Sequence, residues 1–322
     1  MRNSQIILAL MLLASTTVHA AESPMFDKMK TYCFGRYLVD VPYEAELKGQ
    51  GNKYIDDSIQ VTKMSEAALK EQIAKKLINL NKKAYPYYSF NREIKGSNGV
   101  ILLGYKEAFK DPMYSIDSFK WERGIAFITS GTAYDDKTIN LTVDRFNDYL
   151  KNLRYRSERE IPMEPGFCIE NGFIANDGKV PQYEQASLAF QVKNNPDVWV
   201  RVESMVLSKS QPSLLMRIKE SKMDLKYPGK IKRVREGALE VNGMKGEESL
   251  AYFSSDDNTG EAQQFRWEAQ GEINIPTKPF IYLEINSGEG VAGVTGSSSL
   301  STKQIQNLYN AIVKTIRLRP VK

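Results

Sequence analysis

The sequence predicts an α+β protein made of two tandem related modules, each an antiparallel sheet packed with two helices. The first observation is a short segment that occurs twice, as Phe119-Lys120-Trp121-Glu122 and again as Phe265-Arg266-Trp267-Glu268. Other landmarks recur in the same order, with Cys33 answered by Cys168 and Asn98-Gly99 answered by Asn242-Gly243. The third observation is that strand-like segments cluster between helical segments in both halves, a pattern typical of α+β folds. A repeat of this length indicates duplication of a whole module.

The N-terminus has the pattern of a cleaved secretory signal. Arg2 precedes an apolar run from Ile6 to Leu13, and Val18-His19-Ala20 supplies small residues at the cleavage position. We therefore expect residues 1–20 to be removed and the mature protein to lie in the periplasm. No later segment approaches the ~18 apolar residues that a spanning helix needs, so stable membrane insertion is not expected.

The first module is predicted to cover residues 21–160. A β-rich run over residues 32–42 ends at Pro42, and the polar residues after it are predicted to form turns. Ser65 is a good N-cap for a helix whose apolar stripe starts at Leu69. Strands are predicted at 100–105, 118–122 and 125–130, and a closing helix places Val143 and Phe146 on one face.

The second module is predicted to cover residues 161–322 and to repeat that order. The boundary is placed where residues 156–166 combine charge with two prolines and interrupt both periodicities. Strands are predicted at 188–192, 198–202, 249–253, 263–269 and 279–285. Helices are predicted to begin near Ser213 and Ser301, which are both good N-caps.

The mature chain is predicted to lack catalytic, cofactor-binding and metal-binding residues. The only histidine, His19, lies in the signal segment, which excludes serine or cysteine sites that depend on histidine. No serine has the flanking glycines of a lipase nucleophile elbow. The glycine pattern at 288–293 matches a dinucleotide fingerprint, but no βαβ unit surrounds it, so a glycine-serine loop is the better interpretation.

The two cysteines leave two interpretations open. Cys33 and Cys168 hold matching places in the two modules, so a disulfide could join the module starts in an oxidising compartment. Duplication of a buried packing site would equally produce two free thiols, one in each core. A catalytic thiolate is not expected in a mature chain without histidine.

Several motifs together resemble a known family. They are the run Cys33 to Pro42, the segment Phe167 to Ile174, the two aromatic segments described above and the terminal stretch Thr315 to Arg319. They resemble the periplasmic immunity proteins that protect bacteria from type VI secretion lipase effectors of the fourth class. The resemblance implies an N-terminal and a C-terminal immunity domain that together bind a cognate lipase effector and keep substrate from its active site.

A partner surface is predicted on the polar loops between strands, because recognition residues concentrate there. The candidate residues are Asp111, Tyr114, Tyr134, Asp135, Asp136, Asp256, Asp257 and Glu289. Aromatic side chains are favoured as anchors, which singles out Tyr114 and Tyr134. Nucleic acid is not an expected partner, since the basic residues of 226–235 are more typical of a solvated strand face.

Two other function classes stay open at this point. An envelope module that binds lipid or glycan would also have exposed basic segments and aromatics. A hydrolase that uses only carboxylates would need two carboxyl groups ~5 to 10 Å apart in a cleft.

Overall fold

A computed structural model describes residues 26, 28–55, 57–81, 89–96, 98–108, 111–134, 137–254, 261–288 and 296–322. The predicted signal segment lies outside this range. The first half contains β1 (Met29–Phe34), β2 (Tyr37–Pro42), β3 (Ala45–Tyr54), β4 (Asp57–Lys63), α1 (Glu66–Asn81), β5 (Ser89–Gly96), β6 (Gly99–Ala108), β7 (Asp111–Glu122), β8 (Ile125–Ala133), α2 (Ile139–Asn152) and β9 (Leu153–Tyr155).

The second half presents the same order of elements. It contains β10 (Gly166–Ile169), β11 (Gly172–Ala175), β12 (Glu184–Val192), β13 (Asn195–Met205), α3 (Leu214–Ser221), α4 (Met223–Lys226), β14 (Ile231–Val241), β15 (Met244–Ser254), β16 (Glu261–Ala269), β17 (Phe280–Gly288), α5 (Thr302–Val313) and β18 (Arg317–Leu318). The predicted α+β class is therefore confirmed, and the pairing between neighbouring strands is antiparallel.

The two halves share one sheet, which differs from the expectation of a separate sheet in each module. Twelve strands follow the order β14-β15-β16-β17-β13-β12-β3-β4-β8-β7-β6-β5. The halves meet where β3 pairs with β12, which is its counterpart in the repeated order. Nine residue pairs form this junction, so it is as extensive as the pairing within a half. The sheet therefore fixes the two halves relative to each other through backbone hydrogen bonds.

Most of the core lies on one face of this sheet. Helices α2 and α5 pack there with the hairpins β1–β2 and β10–β11, and together they bury alternating side chains of the central strands. Aromatic contacts fix the hairpins in place, with Tyr32 against Phe190 at 4.8 Å and Tyr54 against Phe167 at 5.9 Å between ring centroids. A second, smaller core under α1 lies on the opposite face and contains Leu69 and Phe119.

The two copies of the repeated aromatic segment lie in counterpart strands of the two halves, but at different positions along those strands. Its copies lie in β7 and β16, as duplication requires. However, Phe119 lies opposite Val100, just after the turn glycine Gly99, whereas Phe265 lies opposite Leu250, far from Gly243. Phe119 consequently packs under α1, while Phe265 packs edge-to-face against Tyr309 of α5 on the other face. A four-residue match does not fix strand register, because register depends on the whole pairing ladder.

Each half completes a small sheet of the other half. The last strand of the first half, β9, pairs with β11, and the last strand of the chain, β18, pairs with β2. The three-stranded sheets are therefore β1-β2-β18 and β10-β11-β9. Neither half contains all the strands of its own small sheet, which means that the halves exchange terminal strands.

A buried arginine follows each exchanged strand. Arg156, after β9, donates to the carbonyl oxygens of Gly172, Ile169 and Glu160, and it is 3% exposed. Arg319, after β18, is also 3% exposed and donates to three other backbone carbonyls, those of Pro162, Glu164 and Gly166. Burial lowers the pKa of Arg156 to about 10 and lowers that of Arg319. The hydrogen bonds of both guanidinium groups hold the segment between the halves against the exchanged strands.

The two hairpins touch at the cysteines. Gly35 and Cys168 exchange both backbone hydrogen bonds, at 3.0 and 2.7 Å. The Sγ atoms of Cys33 and Cys168 are 2.04 Å apart, which is the disulfide interpretation of the two considered from the sequence. The cross-link lies at the place where the two small sheets meet, and its cysteines are separated by 135 residues.

We expect this cross-link to add measurable stability. A non-reducing peptide map should recover the Cys33 and Cys168 peptides as a linked pair. Because the cross-link closes a long loop in the unfolded chain, reduction should lower the free energy of unfolding by ~2 to 5 kcal/mol, measured by denaturant titration. Recovery of two alkylatable thiols from the native, unreduced protein would contradict the prediction.

Candidate functional site: the open face of the central sheet

The face of the central sheet opposite α2 and α5 is only partly covered. Helix α1 covers β6, β7 and β8 on this side, and α3 contacts β15. Between the two helices lie β4, β3, β12 and β13, whose side chains on this face are mostly exposed or half-buried in the described structure, while Glu203 of β13 is buried. We call this surface the open face. It contains strands from both halves and crosses their junction.

The floor of the open face is made of small residues at the junction. Gly51 lies opposite Ser187, and Gly49 lies opposite Ala189. A Cβ atom at Gly51 would come within 2.9 Å of the Ser187 hydroxyl oxygen, so even alanine would require a shift there. Gly49 and Gly51 are both exposed, so their backbone is open to close approach by a partner, which is one use of glycine in a strand.

An aromatic and arginine cluster borders this floor on the second half. Val198, Val200 and Val202 are fully buried, so the alternating Trp199 and Arg201 point to the open face. Trp199 is half-buried and the Arg201 side chain is 53% exposed. Tryptophan and arginine are the residue types most enriched among energetic anchors of protein interfaces.

Hydrogen bonds hold this cluster in a defined arrangement. The Tyr282 hydroxyl donates to buried Glu203 at 2.9 Å, and Arg201 donates to the same carboxylate at 2.9 Å. Burial, together with the Glu203 charge, raises the pKa of Tyr282, so its hydroxyl stays protonated as a donor. Arg266 lies over the Tyr282 ring, with 4.3 Å between the guanidinium carbon and the ring centroid. These contacts orient the arginines before any partner binds.

A polar cleft borders the floor on the first half. It has a volume of about 720 Å³ and lies between α1 and strands β4, β7 and β8. Within it, Asp117 is 4% exposed, accepts a hydrogen bond from Ser130 at 2.5 Å and pairs with Lys76 at 2.6 Å. The cleft has the size of a ligand pocket, but it is lined mainly by polar and charged side chains rather than by the apolar residues typical of small-molecule sites.

The predicted partner residues fall in three groups. Tyr134 follows β8 and is 74% exposed, which suits an anchor. Tyr114 is half-buried against the main core, with its ring 5.5 Å from that of Tyr105, so it is less available to a partner. Asp111 begins β7, but its side chain lies outside the described residues, as do Asp135, Asp136, Asp256, Asp257 and Glu289.

The loops that carry these residues do not all leave the sheet at the same end of its strands. Strands β8 and β17 are separated by β4, β3, β12 and β13, and each neighbouring pair is antiparallel. The two strands consequently run in opposite directions. The loops that follow them therefore leave the sheet at opposite ends of its strands. A partner that contacts both loops would have to extend across the open face between them.

The open face was not predicted as a site from the sequence. Its signal was the alternation of Trp199 and Arg201 with three valines, which identifies a strand with one buried and one exposed face. The pairing of β3 with β12, which brings the two halves into one surface, gave no comparable signal in the sequence.

The described residues contain no group of three or more His, Cys, Asp or Glu side chains arranged to hold a metal ion. Within the same residues, no helix combines the length and hydrophobicity that a membrane span requires. The dominant surface feature is a broad polar face stiffened by hydrogen bonds. A broad exposed surface of this kind suits a protein-binding module.

Comparisons with known proteins identify the module. Residues 30–156 match the family model described as Tle cognate immunity protein 4 N-terminal domain, and residues 160–321 match the model of its C-terminal domain. The chain belongs to the Tle cognate immunity protein 4 family. It is thus an immunity protein of the type VI secretion system and not an enzyme. A search of curated proteins finds no match.

Solved structures of similar chains agree with this assignment. The apo structure of the immunity protein TplEi of the type VI secretion system from Pseudomonas aeruginosa matches with a TM-score of 0.80 and 25% sequence identity. The match covers 91% of this chain and 98% of that one. The crystal structure of the Tle4–Tli4 complex matches with the same TM-score, identity and coverage. TplEi complexed with an "L" peptide matches with a TM-score of 0.73 and 25% identity, covering 91% and 99% of the two chains.

Proposed function

We propose that this protein binds a cognate type VI phospholipase effector and neutralises it by blocking access to its active site. The observation that carries the proposal is that both family models match in tandem and together span nearly all of residues 30–321. The similarity to a chain solved in an effector–immunity complex supports it. Inhibition by binding alone requires no catalytic group, only a rigid complementary surface.

We also propose that the chain consists of two related modules, 21–160 and 161–322, and that both contact the effector. The repeated order of elements supports the duplication, and the open face supplies a surface to which each module contributes strands. The Trp199 and Arg201 cluster would anchor the effector on the second module, and Tyr134 would contact it at the edge of the first. Because the β3–β12 pairing holds the modules in one sheet, the two contacts are preorganised, which limits the entropy lost on binding.

The direct test mixes the purified mature protein with the effector encoded beside it and measures complex formation and phospholipase activity together. We expect a stable complex and a fall in activity that follows occupancy. A complex that leaves hydrolysis of both short soluble and vesicle substrates unchanged would contradict active-site blocking. Absence of a complex would contradict the proposed partner.

We propose that the protein acts in the periplasm after removal of residues 1–20. The signal pattern at the N-terminus supports this location, as does membership of a family whose effectors attack from that compartment. Mass spectrometry of the periplasmic fraction should find an N-terminus at Ala21 or close to it. A periplasmic protein that retains Met1 would contradict the cleavage.

A further inference from the structure

Helices α3 and α4 form an exposed projection in the second half. Lys222, between them, has a φ of 53° and is left-handed, so the chain changes direction between α3 and the one-turn helix α4. All residues of 222–229 are exposed. Leu225 is 80% exposed and Tyr227 is 45% exposed, which makes Leu225 the most exposed large apolar side chain in the described structure. We call residues 216–230 the α3–α4 projection.

The projection and the strand after it are rich in positive charge. Lys219, Lys222, Lys226, Lys230 and Lys232 lie within 14 residues, against two acidic residues, Glu220 and Asp224. Asp224 is bound by Arg233, at 2.7 and 2.9 Å, so its charge is already neutralised. The lysines therefore dominate the electrostatic potential of this surface.

The counterpart helix in the first half shows that this arrangement is not a property of the fold. Each of its lysines with a described position has an acidic partner: Lys70 pairs with Glu66, Lys75 with Glu71 and Lys76 with Asp117. In contrast, Lys219, Lys222 and Lys226 make no salt bridge within the described residues. The two halves share an element order, but only the second presents unpaired lysines around exposed apolar side chains.

We propose that the α3–α4 projection binds the surface of anionic phospholipid membranes. Ammonium groups are attracted to anionic head groups, and each basic residue near such a surface adds roughly a fivefold gain in partitioning. Met223, Leu225 and Tyr227 are exposed among these lysines, so their apolar surfaces can enter below the head groups while the ammonium groups stay at the surface. Protein hot spots instead use aromatic and arginine side chains in well-packed pockets, whereas the exposed apolar side chains of the projection are mainly aliphatic.

This inference gives the protein a second binding surface, distinct from the open face. The projection packs on β15, while the open face lies on β4, β3, β12 and β13. Membrane binding would concentrate the immunity protein at the lipid surface, which is the substrate of the effector in the proposed function. The inference does not depend on that function, because vesicle binding can be measured without effector.

The test is co-sedimentation of the full mature chain with vesicles of phosphatidylglycerol and phosphatidylcholine at a 3:7 ratio, near 0.1 M salt, against pure phosphatidylcholine vesicles. We expect binding to the anionic vesicles only, and release as salt is raised to 0.5 M. The Lys222→Gln/Lys226→Gln variant should bind about 25-fold more weakly, since two lysines are lost. Leu225→Ser should weaken binding several-fold at constant charge, because an inserted apolar side chain is lost.

The matched control is Lys70→Gln/Lys75→Gln on α1, which removes the same charge from lysines that are already paired. It should bind anionic vesicles like the unmodified protein. An equal loss in this control would assign binding to net charge alone and overturn the proposal, as would no binding by the unmodified chain. If Lys222→Gln/Lys226→Gln lost effector inhibition in solution while vesicle binding was unchanged, the projection would belong to the effector interface and the proposal would be wrong.

Discussion

Replacing Arg319 with alanine is expected to lower the free energy of unfolding by about 3 to 5 kcal/mol. The guanidinium group is buried and donates to the carbonyl oxygens of Pro162, Glu164 and Gly166. Its removal leaves three acceptors without their donor, and each buried unsatisfied polar group costs about 1 to 3 kcal/mol, reduced where water enters. Denaturant titration followed by circular dichroism would measure the change.

The same strand offers a matched control. Arg317 lies two residues earlier, its side chain is 36% exposed and it pairs with Asp40 at 2.9 Å. Arg317→Ala should therefore cost only about 1 kcal/mol, as is usual for exposed ion pairs. Arg156→Ala should behave like Arg319→Ala, since it occupies the matching place after β9. If Arg319→Ala were no more destabilising than Arg317→Ala, the carbonyl contacts would not hold the exchanged strand.

Replacing Trp199 and Arg201 together with alanine is expected to weaken effector binding at least 30-fold. Each side chain belongs to a type enriched among interface anchors, for which truncation costs 2 kcal/mol or more. The side chains point away from the valine core, so the fold should tolerate the change. Binding would be measured by calorimetry, and protection by the phospholipase activity that remains at fixed immunity protein concentration.

The control for this prediction lies on the opposite face. Leu141 on α2 is 54% exposed and Arg145 on the same helix is exposed. Leu141→Ala/Arg145→Ala removes a large apolar and a basic side chain and should leave effector affinity unchanged. A loss of affinity in the α2 variant with none in the open-face variant would place the effector on the other side of the sheet.

Local sequence signals predicted the helices well because their ends are fixed by neighbouring residues. The Ser65 side chain accepts from the Ala68 amide, and α1 begins at Glu66 as expected. Ser213 caps α3, and Ser301 forms a capping box with Gln304 at the start of α5. Capping is a contact within one helical turn, so the sequence contains all the information it needs.

Strand β3 at the junction was missed because tertiary pairing decides it, whereas the nearby strands β12 and β13 were predicted. The polar residues after Pro42 were predicted as turns, and lysines and two glycines give residues 45–54 little intrinsic strand preference. They form β3 because β12 and β4 supply hydrogen-bonding partners on both sides. The open face depends on this pairing, so the candidate site was hidden for the same reason.

The two exchanged strands, each with the arginine that follows it, resemble each other in sequence. Leu153-Arg154-Tyr155-Arg156 and Ile316-Arg317-Leu318-Arg319 share an apolar residue followed by two arginines at alternate positions. Unlike the repeated aromatic segment, these copies occupy matching places, each at the end of its half. Their match is a further sign of duplication on which the prediction did not rest, and nothing local indicates that each strand pairs with the other half.

Pairing between β2 and β18 also constrains when the protein can finish folding. The partner of residues 37–38 is residues 317–318, almost the whole chain away. At synthesis rates of roughly 5 to 20 residues per second, the early hairpin waits on the order of tens of seconds for its last strand. The sheet β1-β2-β18 stays incomplete until residues 317–318 are available, so a chain that lacks them should not complete this fold.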